Sequence, residues 1–163
     1  MGDWLSFSGP DEAAAWRAVN DGVMGGESAG GFDVEGVVGV FHGTLSLEHG
    51  GGFASVRRPL RPGALADSDG IALRVRGDGR PYQCRVGSDQ LPDGASYAAS
   101  FDTTAGRWLD VSLPWQAFDA VFRGRSVTDA PPLSPGRIHR IGFLLADRRP
   151  GTFRLEIASI RAL

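Results

Sequence analysis

The 163 residues contain no lysine; all 17 basic side chains are arginine. That absence removes several chemistries at once. A phosphate-binding P-loop needs its Lys beside the Gly-rich turn. Schiff-base and pyridoxal-type catalysis need an amine nucleophile. The strand Lys of a protein kinase is missing as well. Cysteine is nearly absent: the single Cys84 can form no intramolecular disulfide and no metal-binding Cys pair. There is no basic excess, since the net charge is −2. Nucleic acid, which is gripped through a basic surplus, is therefore a poor expectation. Apolar runs fall far short of the ~20 residues of a membrane span. The first residues, Met1-Gly2-Asp3-Trp4, show neither a basic n-region nor an apolar h-region. The expectation is one soluble, cytoplasmic domain over residues 1–163, with no membrane insertion.

What is present is glycine, 24 residues of it, at about twice the usual ~7%. Leu, Ile, Val and Phe make up about a quarter of the chain, enough for a core. Only residues 11–19 read as helix, around Ala13, Ala14, Ala15 and Trp16. The rest is short, Gly-bounded and of period two. Strands are expected over 4–7, 31–35, 37–41, 44–48, 53–58, 71–76, 82–86, 96–101, 107–113, 137–146 and 152–160. That count predicts an all-β chain, a β-sandwich or jelly roll with one short N-terminal helix.

One hairpin can be written in register. Asp78-Gly79 is a two-residue turn signal, which would set Val75 opposite Tyr82, Leu73 opposite Cys84 and Ile71 opposite Val86. The three apolar pairs then share one face. Arg74, Arg76, Gln83 and Arg85 would form a polar stripe on the other. Within the strand 137–146, the contiguous apolar run 143–146 reads as covered on both faces, paired with an alternating strand in which Phe153, Leu155 and Ile157 point in.

Two motifs invite a hydrolase. Gly26-Glu27-Ser28-Ala29-Gly30 has the form of a nucleophile elbow, and His49-Gly50-Gly51-Gly52 that of an oxyanion hole. Their order is reversed, and no strand-to-helix context surrounds Ser28. An enzyme would need at least two of Asp21, Ser28, His49 and His139 to converge. The histidines have no metal-binding spacing, so no metal site is expected. The one cation reading is Ca²⁺ held by Asp33, Glu35 and Glu156. The loop Asn20-Asp21-Gly22-Val23-Met24-Gly25-Gly26 combines polar groups with an adaptable thioether, which suits binding. Trp108 is expected to pack with Val111 or Leu113. Were Tyr97, Trp108 and Trp115 instead to line an open face, they would stack sugars, making the chain a carbohydrate-binding module.

Several stretches carry a resemblance. They are Trp16-Arg17-Ala18-Val19-Asn20-Asp21-Gly22-Val23-Met24-Gly25-Gly26-Glu27-Ser28, then residues 41–57, including Gly50-Gly51-Gly52-Phe53-Ala54-Ser55-Val56-Arg57, and residues 73–82, 122–125, 138–147 and 151–160. Together they cover nearly the whole chain, which resembles the complex I intermediate-associated protein 30 family. One departure is His49, where the family pattern has a small polar residue. The resemblance implies a galactose-binding-domain-like jelly roll. It also implies a non-catalytic assembly factor for NADH:ubiquinone oxidoreductase, with protein subunits of a respiratory complex as partners and no cofactor. Without a transit peptide the chain reads as a bacterial member. The expected binding surface joins Asn20, Asp21 and Met24 to Arg57, Arg74, Arg76, Gln83 and Arg85.

Overall fold

The computed structural model describes residues 5, 7, 10–19, 28–48, 52–122 and 124–163. A short helix, α1 (Pro10–Ala15), is followed by strands β1 (Arg17–Ala18), β2 (Ala29–Glu35), β3 (Val38–Leu45), β4 (Ala54–Pro59), β5 (Gly70–Arg76) and β6 (Tyr82–Ser88). Then come β7 (Ala95–Phe101), β8 (Trp108–Pro114), β9 (Asp119–Phe122), β10 (Arg125–Ser126), β11 (Ile138–Leu145) and β12 (Gly151–Ala162). They form two antiparallel sheets. One has seven strands in the order β1-β4-β11-β6-β7-β9-β10, and the other five in the order β2-β3-β12-β5-β8. The sheets face each other, so each strand sends alternate residues into a shared core. Ile71, Leu73 and Val75 enter from β5, Tyr82, Cys84 and Val86 from β6, Ile141 and Phe143 from β11, and Leu155 and Ile157 from β12, all essentially excluded from solvent. Burying each of the larger apolar side chains is worth about 1.5–3 kcal/mol. The expected all-β sandwich is the fold found.

The helix is shorter than the reading over 11–19. Its alanines favour the turn, but Trp16 leaves the helix axis and stacks on Phe32 at 4.1 Å between ring centres. The chain then continues as β1, pairing Arg17 with Arg57. Glu12 anchors the helix to the sheet edge. Its carboxylate accepts from the Trp16 indole at 2.8 Å and from Arg58 Nε at 2.6 Å. The expected strands 37–41 and 44–48 are one strand, β3. It runs through Gly43, where a Cβ would lie 2.0 Å from the Ala29 carbonyl oxygen, so only glycine lets β2 pair there.

The derived hairpin is wrong. β5 pairs with β8 and β12 in one sheet, while β6 pairs with β7 and β11 in the other. The Asp78-Gly79 turn, with Gly79 at φ +95°, carries the chain across the sandwich. Asp78 fixes this crossing: its carboxylate accepts the Tyr82 hydroxyl at 3.0 Å, the Arg80 N–H at 3.1 Å and the Arg154 N–H at 2.8 Å. β11 and β12 are likewise not partners, because residues 146–150 carry the chain between sheets. Phe153, Leu155 and Ile157 do point inward as expected, but from the opposite wall. A second consequence is that Leu144, within the run read as covered on both faces, lies on an outer face and is only half-buried.

Candidate functional site: two unlike arginine faces

Because β5 and β6 lie in different sheets, the polar stripe does not exist. Arg74 and Arg76 are on the outer face of the five-stranded sheet, and Gln83 and Arg85 are on the outer face of the seven-stranded sheet. Arg57 shares the second face through β4. Asn20, Asp21 and Met24 lie outside the described residues, as does His49. Of the expected set, the fold therefore brings together Arg57, Gln83 and Arg85 and separates them from Arg74 and Arg76.

The five-stranded face is neutralised by its own carboxylates. Arg76 bonds Glu156 through Nε and Nη2, and Arg74 Nη1 meets Asp110 at 3.0 Å. Arg154 Nη2 reaches Glu35 at 2.8 Å and Glu156 at 3.2 Å. His42 Nε2 lies 2.6 Å from Asp33. The hydrogen bond from Arg76 holds the Glu156 carboxyl below the usual carboxylate range, with Arg154 adding to the effect. The cross-strand register explains the network: Glu156 sits directly opposite Arg76, and Arg74 directly opposite Asp110. Asp33, Glu35 and Glu156, weighed as cation ligands, do share this face, and each is occupied by an arginine or histidine.

Trp108 does not pack with Val111 or Leu113. It sits opposite Arg76 on this outer face, while Val111 and Leu113 point inward. The Arg76 and Arg74 guanidinium carbons lie 5.0 and 5.8 Å from its ring centre, a cation–π arrangement. Tyr97 and Trp115 are buried, their polar atoms satisfied by the Pro131 and Ser68 carbonyls at 2.7 and 2.9 Å. The three aromatics therefore form no common sugar platform.

The seven-stranded face is different in kind. One register row runs Arg17–Arg57–Gly142–Arg85–Ala98 across β1, β4, β11, β6 and β7, and Asp119 of β9 follows Ala98. Arg140 of β11 stands in the adjacent row, opposite Gly87. It lies directly over that glycine, where a Cβ would come 2.4 Å from its Nε. Arg85, half-buried, donates to Gln83 Oε1 at 2.9 Å and to Ser96 Oγ at 3.0 Å, both neutral acceptors. Among the described residues, none of Arg17, Arg57, Arg85 or Arg140 forms an ion pair with a carboxylate. Burial pushes the Arg85 pKa down. Burial and then the charge of Arg57 do the same to Arg140, with Asp93 opposing. The guanidinium groups stay charged, so this face holds two partly desolvated cations, Arg85 and Arg140, the second of them repelled by Arg57. Arg17 and Arg140 carry no motif that marks them in the sequence. The signal that finds them is the register, which requires the true strand order.

Of the residues that an enzyme would bring together, Asp21 and His49 lie outside the described residues, and Ser28 and His139 do not meet. Ser28 Oγ donates to the Ser46 carbonyl at 3.0 Å and accepts from the Ser46 N–H at 2.9 Å, which ties β2 to the end of β3. His139 is in the other sheet, near the start of β11, at the opposite end of the sandwich.

The sandwich is that of carbohydrate-binding modules. It is similar to the family 11 carbohydrate-binding module of the cellulosomal cellulase Lic26A-Cel5E of Clostridium thermocellum, with a TM-score of 0.61 at 15% identity over 89% of this chain and 88% of that one. Residues 5–157 match the family described as Complex I intermediate-associated protein 30 (CIA30), and the chain belongs to that family. Over 91 residues it is 35% identical to the Mus musculus protein of that name, a match covering 53% of this chain and 28% of the relative. The Neurospora crassa protein of the same name is 24% identical over 198 residues, covering 96% of this chain and 71% of the relative. Both relatives are named as mitochondrial, which overturns the cytoplasmic placement read from the N-terminal residues and gives the bacterial reading no support.

Proposed function

We propose that this chain is a non-catalytic binding protein that holds subunits of NADH:ubiquinone oxidoreductase, or of a related respiratory complex, during assembly. The observation that carries the reading is the family match along residues 5–157, together with relatives named for association with complex I intermediates. The geometry supports binding over catalysis. The Ser28 hydroxyl is engaged by backbone, and a set of arginines that form no ion pair with a carboxylate among the described residues occupies one outer face. Partners are engaged on that face through Arg57, Gln83 and Arg85. Arginine suits the task, because its planar fork grips carboxylates through two parallel bonds.

The test is affinity purification of the tagged full chain from its own cells, paired with a deletion strain. Recovery of respiratory subunits, and loss of NADH oxidation in the deletion, supports the reading. Recovery of none, with normal oxidation, ends it.

A second reading, sugar binding, has one observation in its favour: Trp108 reaches an outer face. It predicts that a soluble glucan raises the melting temperature of the protein and that Trp108→Ala abolishes the rise.

A further inference from the structure

On the reading above, we propose that the outer face of the seven-stranded sheet is a docking site for an acidic peptide segment of the partner, with Arg57, Arg85 and Arg140 closing around a carboxylate seated over Gly142. The argument begins with spacing. Arg57 and Arg85 are register neighbours of Gly142 on either side, so their Cα atoms are separated by two strand spacings, about 10 Å. A residue with a Cβ at Gly142 would meet the Val56 carbonyl oxygen at 2.3 Å, so the position requires glycine, and this side-chain-free, buried residue lies between two long cationic side chains. Arg140 adds a third guanidinium from the next row, laid over Gly87.

Charge then selects the occupant. Among the described residues none of the three forms an ion pair with a carboxylate; Arg57 and Arg140 repel one another, with Asp93 offsetting part of this at Arg140, and the position of Arg85 against Gln83 and Ser96 removes part of its hydration. An incoming anion relieves both costs. On the opposite sheet the same residue type is matched within the chain: Arg74, Arg76 and Arg154 pair with Asp110, Glu156 and Glu35.

Extent favours a peptide over a small free anion. With Arg17 included, the row of cations spans four adjacent strands, or about 14 Å. That is wider than one phosphate and comparable to an extended segment of four or five residues. Asp119, beyond Ala98 in the same row, limits the basic stretch on the β9 side and sets the direction from which an acidic chain is repelled.

The probe is a fluorescein-labelled decapeptide of alternating Glu and Ser, titrated against the full chain and followed by anisotropy, with the Gln-for-Glu peptide as control. The Glu peptide binds and the Gln peptide does not. Raising salt weakens binding, as it does for partly exposed charges. Arg57→Gln and Arg140→Gln each reduce affinity about tenfold, the loss of one charge-assisted contact. Arg74→Gln, on the other sheet, leaves it within twofold. Arg85→Gln extends the series if its melt matches wild type, and the less buried Arg57 and Arg140 variants decide the matter if it does not. Equal binding by the Arg57→Gln and wild-type proteins overturns the proposal, and so does an equal loss with Arg74→Gln. Complete displacement of the peptide by stoichiometric inorganic phosphate, or tighter binding to anionic vesicles than to the peptide, also overturns it. The assembly reading fails separately. If wild-type protein captures no respiratory subunits, that reading falls while peptide binding can stand. If Arg57→Gln/Arg140→Gln captures them as well as wild type, the site falls and the assembly reading stands.

Discussion

Arg80 and Asp147 form an ion pair at 3.1 Å in which the side chains are 9% and 3% exposed. Arg80 belongs to the crossing from β5 to β6 and Asp147 to the crossing from β11 to β12. The guanidinium also donates to the Arg149 carbonyl at 2.6 Å. Both crossings are thus fastened to each other at one end of the sandwich. A buried charge left without its partner is costly, so Arg80→Met is expected to destabilise the fold by about 3–5 kcal/mol. Urea unfolding monitored by tryptophan fluorescence measures this. A loss below about 1 kcal/mol would mean the latch is dispensable.

The Glu156 carboxyl sits below its ordinary value of 4.5 because Arg76 donates to its charged form. A depressed folded pKa contributes stability that is fully present above the unfolded value and drains away as pH falls through the folded one. Stability should therefore fall below about pH 4.5, and Glu156→Gln should flatten that part of the curve. Melting temperatures of both proteins from pH 3 to pH 7 give the comparison. Parallel curves would contradict the assignment.

Cys84 is fully buried, and burial pushes its thiol up to about 12. A thiol reacts as the thiolate. At pH 8 the native protein should resist a disulfide reagent and react only as fast as it unfolds. Rapid labelling of folded protein would refute this.

Two glycines on the seven-stranded face should differ sharply. At Gly142 an added Cβ strikes the Val56 backbone, whereas at Gly87 the three nearest atoms all belong to the movable Arg140 side chain. Gly142→Ala should cost about 1–3 kcal/mol by forcing strands apart. Gly87→Ala should leave the melt close to wild type while lifting Arg140 off the sheet and weakening acidic-peptide binding. The measurements are denaturant melts and the anisotropy titration.

The inside–outside pattern of each strand was legible because alternation is a local property: Ile71, Leu73 and Val75 read as buried, and they are. Pairing was not legible. In a sandwich, both walls point apolar residues at the same core, so a hairpin and a crossing produce the same alternation. Asp78-Gly79 is consistent with either. Only the long-range contacts of β8, β11 and β12 decide between them, and no local signal encodes those. The same limit governed the site. Arg57 and Arg85 were visible as candidates, but their kinship with Arg17 depends on a row through four strands remote in sequence, and that with Arg140 on the row beside it. Trp108 was misplaced for a related reason: its outward position follows from pairing with Arg76.

The unequal pairing of the two arginine faces has a consequence before any contact is made. The chain carries −2 overall, yet four arginines that form no ion pair with a carboxylate among the described residues are gathered on one wall. The remainder of the surface must then carry the surplus of negative charge. Such a molecule has a standing dipole moment and turns in the field of a charged neighbour while still at a distance. It would meet an acidic subunit with the seven-stranded wall leading. Its orientation at encounter would be set by long-range torque, and the rate of productive collision would fall as ionic strength rises.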